Sequence, residues 1–121
     1  MCQAMGIAVI AGGVYNSGIL ADPGRGARYN YAPAPAAILE RAQRLQAICR
    51  RHRVPLKAAA IQFPFGHPAV ACVLTGSRSA AELDDNVDML EHPVPASLWE
   101  DLKAEGLLPD QVPTPGGARP R

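Results

Sequence analysis

The residues best suited to chemistry lie in "LTGSRSAAELDDN", positions 74–86, where an apolar run ends in Gly76 and an arginine and a helix start follow at once. Unpaired backbone N–H groups in a first helical turn, together with the positive end of the helix dipole, attract anions. Arg78 can add a charge-assisted, two-pronged contact to a phosphate. The chemistry on offer is anion binding, and the plainer reading is an ordinary capped helix with an exposed arginine. A second apolar run, Ile7–Ile10, opens into "AGGVYNSGIL", which carries Gly13, Tyr15, Asn16, Ser17 and Gly18. A loop of that composition lets a ligand approach the backbone closely.

Several familiar chemistries do not fit these residues. Gly13 and Gly18 have G-x-x-x-x-G spacing, but Ile19 and Leu20 stand where a triphosphate loop needs Lys and Ser/Thr. No G-x-G-x-x-G occurs, so the common dinucleotide fingerprint is missing. Tyr29 and Tyr31 lie in a loop, and His52, His67 and His92 lie beside turns or helix ends, so residue type alone gives none of them a catalytic role. Cys2, Cys49 and Cys72 are an odd set without a CxxC pair, which supports neither a disulfide framework nor a zinc site and fits a reducing cytoplasm. Twelve Lys+Arg against eleven Asp+Glu give a formal charge of +1, which offers nucleic acid no basic surplus. No apolar run approaches the roughly 20 residues of a membrane span, and "MCQAMG" lacks the basic start of a signal peptide. The expectation is a soluble, cytoplasmic chain with neither a nucleic-acid nor a membrane partner.

The elements that must position these groups follow from periodicity. At 121 residues with 48% hydrophobic content, one ordinary domain is expected. Residues 6–11 read as a short strand covered on both faces, and 69–76 as a second of the same kind. Between them, 12–35 is irregular and rich in Pro and Gly, a length of loop uncommon without a function. Ile38, Ala42, Leu45 and Cys49 fall at helical spacing and predict a helix over about 35–52. "PLKAAAIQF" predicts a shorter helix with Pro55 in its first position, ended by Pro64, Gly66 and Pro68. Ser79 and Glu82 have capping-box spacing, so a helix starts near residue 80 with Leu83, Val87 and Leu90 as its apolar stripe. A last helix, about 95–105, carries Leu98, Trp99 and Leu102 and stops at Gly106. Residues 109–121 have little to bury and read as a disordered tail. Strands alternating with helices indicate an α/β fold with a parallel sheet.

The segments "GVYNSGIL", "YNYAPAP", "VPLKAAAIQFPFGHPAVACVLTGSRSAAELDDN" and "HPVPASLWEDLKAEGLL" resemble, in order and spacing, the C-terminal part of an aldo/keto reductase. Within that family the likeness is to the sugar- and pyridoxal-oxidising dehydrogenases of the D-threo-aldose or L-fucose dehydrogenase type. It covers residues 1 to about 108. The resemblance implies the last two strands of a (β/α)8 TIM barrel with their helices, and an NAD or NADP coenzyme held at the C-terminal ends of the strands. It also implies that Gly13, Tyr15, Asn16, Ser17 and Gly18 sit near the coenzyme's pyrophosphate. Gly76, Ser77 and Arg78 would meet the adenosine-side phosphate, and Asp85 and Asn86 the adenine. Gly12 stands where the family often has a tyrosine stacked on the nicotinamide. Glu82, where several relatives carry a basic residue, leans towards NAD, whereas Arg78 leans towards NADP.

The family's Asp, Tyr, Lys and His, which handle the proton while hydride moves to or from the nicotinamide, come from the first half of the barrel. The resemblance therefore gives this sequence no catalytic residue. A barrel needs about 250 residues, so 1–108 is expected to be an incomplete one, inactive alone. Its partners would be a small carbonyl or sugar substrate in the full-length parent and a complementary N-terminal barrel fragment. The alternative is a non-catalytic remnant or a coenzyme-binding module without turnover.

Overall fold

The computed structural model describes residues 1–15, 18–24, 27–30 and 32–115, and Asn16, Ser17 and Tyr31 lie outside them. In chain order the elements are β1 (Val9–Ala11), β2 (Arg28–Tyr29), β3 (Ala32–Pro33), α1 (Ala36–Arg51), α2 (Leu56–Gln62), a 3-10 turn at Phe63–Gly66, β4 (Val70–Val73), α3 (Ala80–Glu91) and α4 (Ala96–Ala104). β1 and β4 pair in parallel, joined through α1 and α2, and α3 and α4 follow β4. The result is an α/β domain of alternating strand and helix units, as expected of part of a (β/α) barrel. Within the 12–35 stretch, β2 and β3 form a two-residue antiparallel ladder, Arg28 opposite Pro33 and Tyr29 opposite Ala32.

In the β1–β4 ladder Val9 faces Val70, Ile10 faces Cys72 and Ala11 faces Val73, so Ala71 is an extra residue on β4 and bulges it. Beyond the regular pairs, the Leu74 N–H donates to the Ala11 carbonyl at 2.8 Å, which carries the pairing to the C-terminal ends of both strands. Both strands were expected to be covered on both faces. Instead Val9 and Ala11 are half-buried while Ile10 is 66% exposed, and Leu74 just past β4 is 69% exposed. The cause is the period of two: Ala11 borders the helices, and the alternate residues meet solvent because no second layer of described residues covers them.

The core lies among the helices. Ile48 and Cys49 of α1, Leu56, Ala58 and Ala59 of α2, and Leu98, Trp99 and Leu102 of α4 form one buried cluster, closed by Val54, Val94 and Leu107 from the connections. Polar contacts pin α4 to α1: Arg41 donates to the Leu107 carbonyl at 2.9 Å, and His52 Nε2 lies 2.6 Å from an Asp101 carboxylate oxygen. Past α4, the Leu107 N–H donates back to the Leu102 carbonyl at 2.9 Å around Gly106, whose φ of +72° is left-handed, a geometry that favours glycine. α3 is held differently, through Gln62 of α2. Its buried amide donates to the Met89 and His92 carbonyls, each at 2.8 Å, capping the end of α3.

The predicted helices stand within a residue or two of their expected bounds, with two local differences. Pro55 is the N-cap of α2, not its first helical residue, and Pro35 and Pro95 cap α1 and α4 in the same way, with extended backbone and no side-chain cap. At α3 the Glu82 N–H donates to Ser79 Oγ at 3.2 Å, but the Glu82 carboxylate accepts from the Arg78 N–H at 2.5 Å. The reciprocal half of the capping box has thus moved one residue upstream.

Candidate functional site

The C-terminal ends of β1 and β4 open into one cleft of about 230 Å³, lined by Gly13, Val14, Tyr15, Gly18, Leu74, Thr75 and Gly76. Parallel pairing alone brings these residues together: two chain segments about 60 positions apart leave their strands on the same side, and α3 starts just beyond. Gly13 and Gly18 have φ of +65° and +101°, left-handed backbone that other residues adopt only at a cost. Gly18 closes the turn, its N–H donating to the Tyr15 carbonyl at 3.1 Å, as does that of Leu20.

Across the cleft Tyr15 meets α3. Its hydroxyl donates to Asn86 Oδ1 at 2.9 Å, and Asn86 Nδ2 donates to Ser77 Oγ at 3.2 Å and Thr75 Oγ1 at 3.5 Å. Asn86 is buried, so the bonds that satisfy it join the loop after β1, the segment after β4 and α3 into one unit. Asp85, next along α3, forms an ion pair with Lys57 of α2, and the Lys57 ammonium lies 5.3 Å from the centre of the Tyr15 ring. Ser77 and Arg78 are exposed at the N-terminus of α3.

Of the ten residues expected at the site, the structure groups Gly13, Tyr15, Gly18, Gly76, Ser77, Asp85 and Asn86 around this cleft. Arg78 stands at its α3 end, while Asn16 and Ser17 lie outside the described residues. Lys57 and Thr75 belong to the same cluster and were not anticipated. Lys57 gives no local signal, since only tertiary packing lays α2 against α3. Asn86 carries a signal that was open to a different reading. It falls between Leu83, Val87 and Leu90 on the expected apolar stripe, yet Leu83 is 54% and Val87 46% exposed, and the residue buried on that side is Asn86. The three histidines have structural partners: His52 the Asp101 carboxylate, His67 the Ala69 N–H, and His92 the Arg53 carbonyl.

Burial, and secondarily the Asp85 carboxylate, pushes the Tyr15 phenol up from 10.0 to about 12. Its neutral form is the one the fold favours. The stability it contributes is whole below pH 10 and is lost as pH rises through about 12, where the ionised phenol can no longer donate to Asn86. In a tyrosinate absorbance titration, Tyr15→Phe is expected to remove a step near pH 12. The same late step persisting in the Tyr15→Phe variant would contradict the assignment.

No group of three or more His, Cys, Asp or Glu side chains capable of holding a metal ion occurs among the described residues. No described helix is long and apolar enough to cross a membrane.

The chain spans about a third of the length of the curated relatives it matches. A pyridoxal 4-dehydrogenase from Microbacterium luteolum is 45% identical over 109 residues, 89% of this chain and 32% of that protein. A D-threo-aldose 1-dehydrogenase from a Pseudomonas species is 40% identical over 110 residues, 89% of this chain and 33% of that protein. The model of the aldo/keto reductase family matches residues 1–105. With strands and helices alternating through that whole stretch, and a cleft where two parallel strands end, the chain belongs to the aldo/keto reductase family.

Proposed function

We propose that residues 1–108 form the coenzyme-gripping side of an NAD(P)-dependent oxidoreductase acting on an aldose or a related small carbonyl or hydroxyl compound. The observation that carries this reading is the cleft at the shared C-terminal ends of β1 and β4, floored by Gly13, Gly18 and Gly76 and closed by the Tyr15–Asn86–Ser77 bonds. The residues fit a dinucleotide in kind. Left-handed glycines leave room for backbone to approach a pyrophosphate, and the first-turn N–H groups of Ala80 and Ala81 with the Arg78 side chain favour an adenosine-side phosphate. Asn16 and Ser17 belong to the proposed pyrophosphate loop by position in the sequence. Asp85 and Asn86 stand on the adenine side, where Asn86 acts as a positioning residue for Tyr15 and Ser77.

Glu82 opposes this arrangement, because its carboxylate sits against the Arg78 N–H at the same helix end. A terminal 2′-phosphate there would meet both a guanidinium and a carboxylate, so NAD and NADP compete on nearly even terms. When bound, the nicotinamide supplies hydride acceptance or donation. This chain's own residues bind and orient; the groups that move the proton belong to polypeptide outside 1–121.

Mixing provides the test. Alone, the chain is expected to give no NAD(P)-dependent turnover of aldoses or pyridoxal. Adding a polypeptide that carries the remaining strands, with the family's tyrosine and lysine, restores turnover. Unaided turnover, or none with any such complement, overturns the proposal. A chain that binds coenzyme yet gains no turnover would be a binding module, the second reading.

A further inference from the structure

Where the end of α1 meets the start of α4, three side chains that the coenzyme reading does not use are linked in series. His52 Nε2 lies 2.6 Å from an Asp101 carboxylate oxygen, and Ser97 Oγ lies 3.5 Å from His52 Nδ1. His52 is the C-cap of α1, and Ser97 and Asp101, one helical turn apart, share a face of α4. The His52 side chain is 16% exposed, whereas Ser97 stands open to solvent.

A carboxylate only accepts hydrogen bonds, so Nε2 carries the imidazole proton and Nδ1 keeps its lone pair for the serine. An activated nucleophile has this signature: a hydroxyl within reach of a base that a third group orients. The Ser97–His52 separation is long for a reacting pair, and such contacts tighten when a substrate arrives. Pro95 gives α4 no side-chain cap, so the first-turn N–H groups of Ala96 and Ser97 have no intrahelical acceptor. They stand beside the hydroxyl as donors for a developing oxyanion.

We propose that Ser97, His52 and Asp101 form a nucleophilic relay that hydrolyses small, activated carboxylic esters. Ser97 Oγ bonds to the ester carbonyl carbon while its proton passes to His52 Nδ1. The tetrahedral adduct expels the alcohol, which takes that proton, and leaves an acyl-serine. Water repeats the sequence, releasing the acid and restoring the hydroxyl. Asp101 is the positioning residue, holding the ring and its tautomer. An exposed hydroxyl offers little binding energy, so the acyl group is small and the leaving group good. None of the residues proposed to touch the coenzyme belongs to the relay, so either reading can fail without the other.

The 121-residue chain, treated with 4-nitrophenyl acetate and digested, reports acetylation site by site in a mass spectrometer. Ser79, an exposed serine whose Oγ accepts from the Glu82 N–H, is the internal control. Ser97 is expected to acetylate roughly 100-fold faster than Ser79, the lower end of what a positioned base contributes. The acetyl group then leaves Ser97 again by hydrolysis. Asp101→Asn slows acetylation of Ser97 by roughly tenfold or more and changes the ring-nitrogen shifts of His52, which a packing role alone would leave unmoved. Ser97 acetylating no faster than Ser79 would overturn the proposal, as would a permanent acetyl-Ser97 or an Asp101→Asn variant with the original Ser97 rate.

Discussion

Replacing Leu98 by alanine is expected to cost about 2–5 kcal/mol of stability, because Leu98 is fully buried where α4 meets α1 and α2 and its removal leaves a cavity. Single domains are stable by only about 5–15 kcal/mol, so the variant loses a large fraction of the whole. The same substitution at Leu83, which is 54% exposed on α3, is expected to stay within about 0.5 kcal/mol. Urea unfolding followed by circular dichroism separates the two: Leu98→Ala lowers the midpoint sharply with little change in slope, and Leu83→Ala does not. Comparable losses at both positions would contradict a core confined to the helical layer.

The second large effect is expected at Asn86. Asn86→Ala removes the acceptor of the Tyr15 hydroxyl and the donor to Ser77 and Thr75, a cost of about 2 kcal/mol for a buried polar junction. Tyr15→Phe breaks one of these bonds and costs about 1 kcal/mol. The double variant is expected to cost less than the sum, since both changes delete the same Tyr15–Asn86 contact. On the proposed reading, coenzyme affinity falls with the junction, tenfold for each 1.4 kcal/mol carried into binding. Full additivity in a double-mutant cycle would deny that Tyr15 and Asn86 act together.

Much of this arrangement is legible in the sequence. The spacing of Ile38, Ala42, Leu45 and Cys49 locates α1, and Leu98, Trp99 and Leu102 locate α4, because a helix that buries one face must repeat its apolar residues every three or four positions. Gly106 ends α4 where a left-handed residue is required. The glycine-ended runs locate β1 and β4, and parallel pairing makes their ends a common site. What stayed hidden depends on contacts between segments far apart in the chain. Leu83 and Val87 look like core, but whether a stripe is covered is decided by what packs on it. Lys57 reads as a solvated helix residue until α3 brings Asp85 beside it. Glu82 has capping-box spacing, yet its carboxylate accepts from the N–H one residue upstream of the cap, that of Arg78, and so stands at the helix end otherwise best suited to a phosphate.

Equilibrium titration of the 121-residue chain with NADH and with NADPH, followed by coenzyme fluorescence and by backbone amide shifts, addresses the coenzyme proposal most directly. The account predicts saturable binding with shifts concentrated at Gly13, Tyr15, Gly76, Ser77 and Arg78, weakened roughly tenfold by Arg78→Ala through loss of a charged hydrogen bond. A flat titration to millimolar coenzyme, or shifts that leave those five residues unmoved, would contradict it.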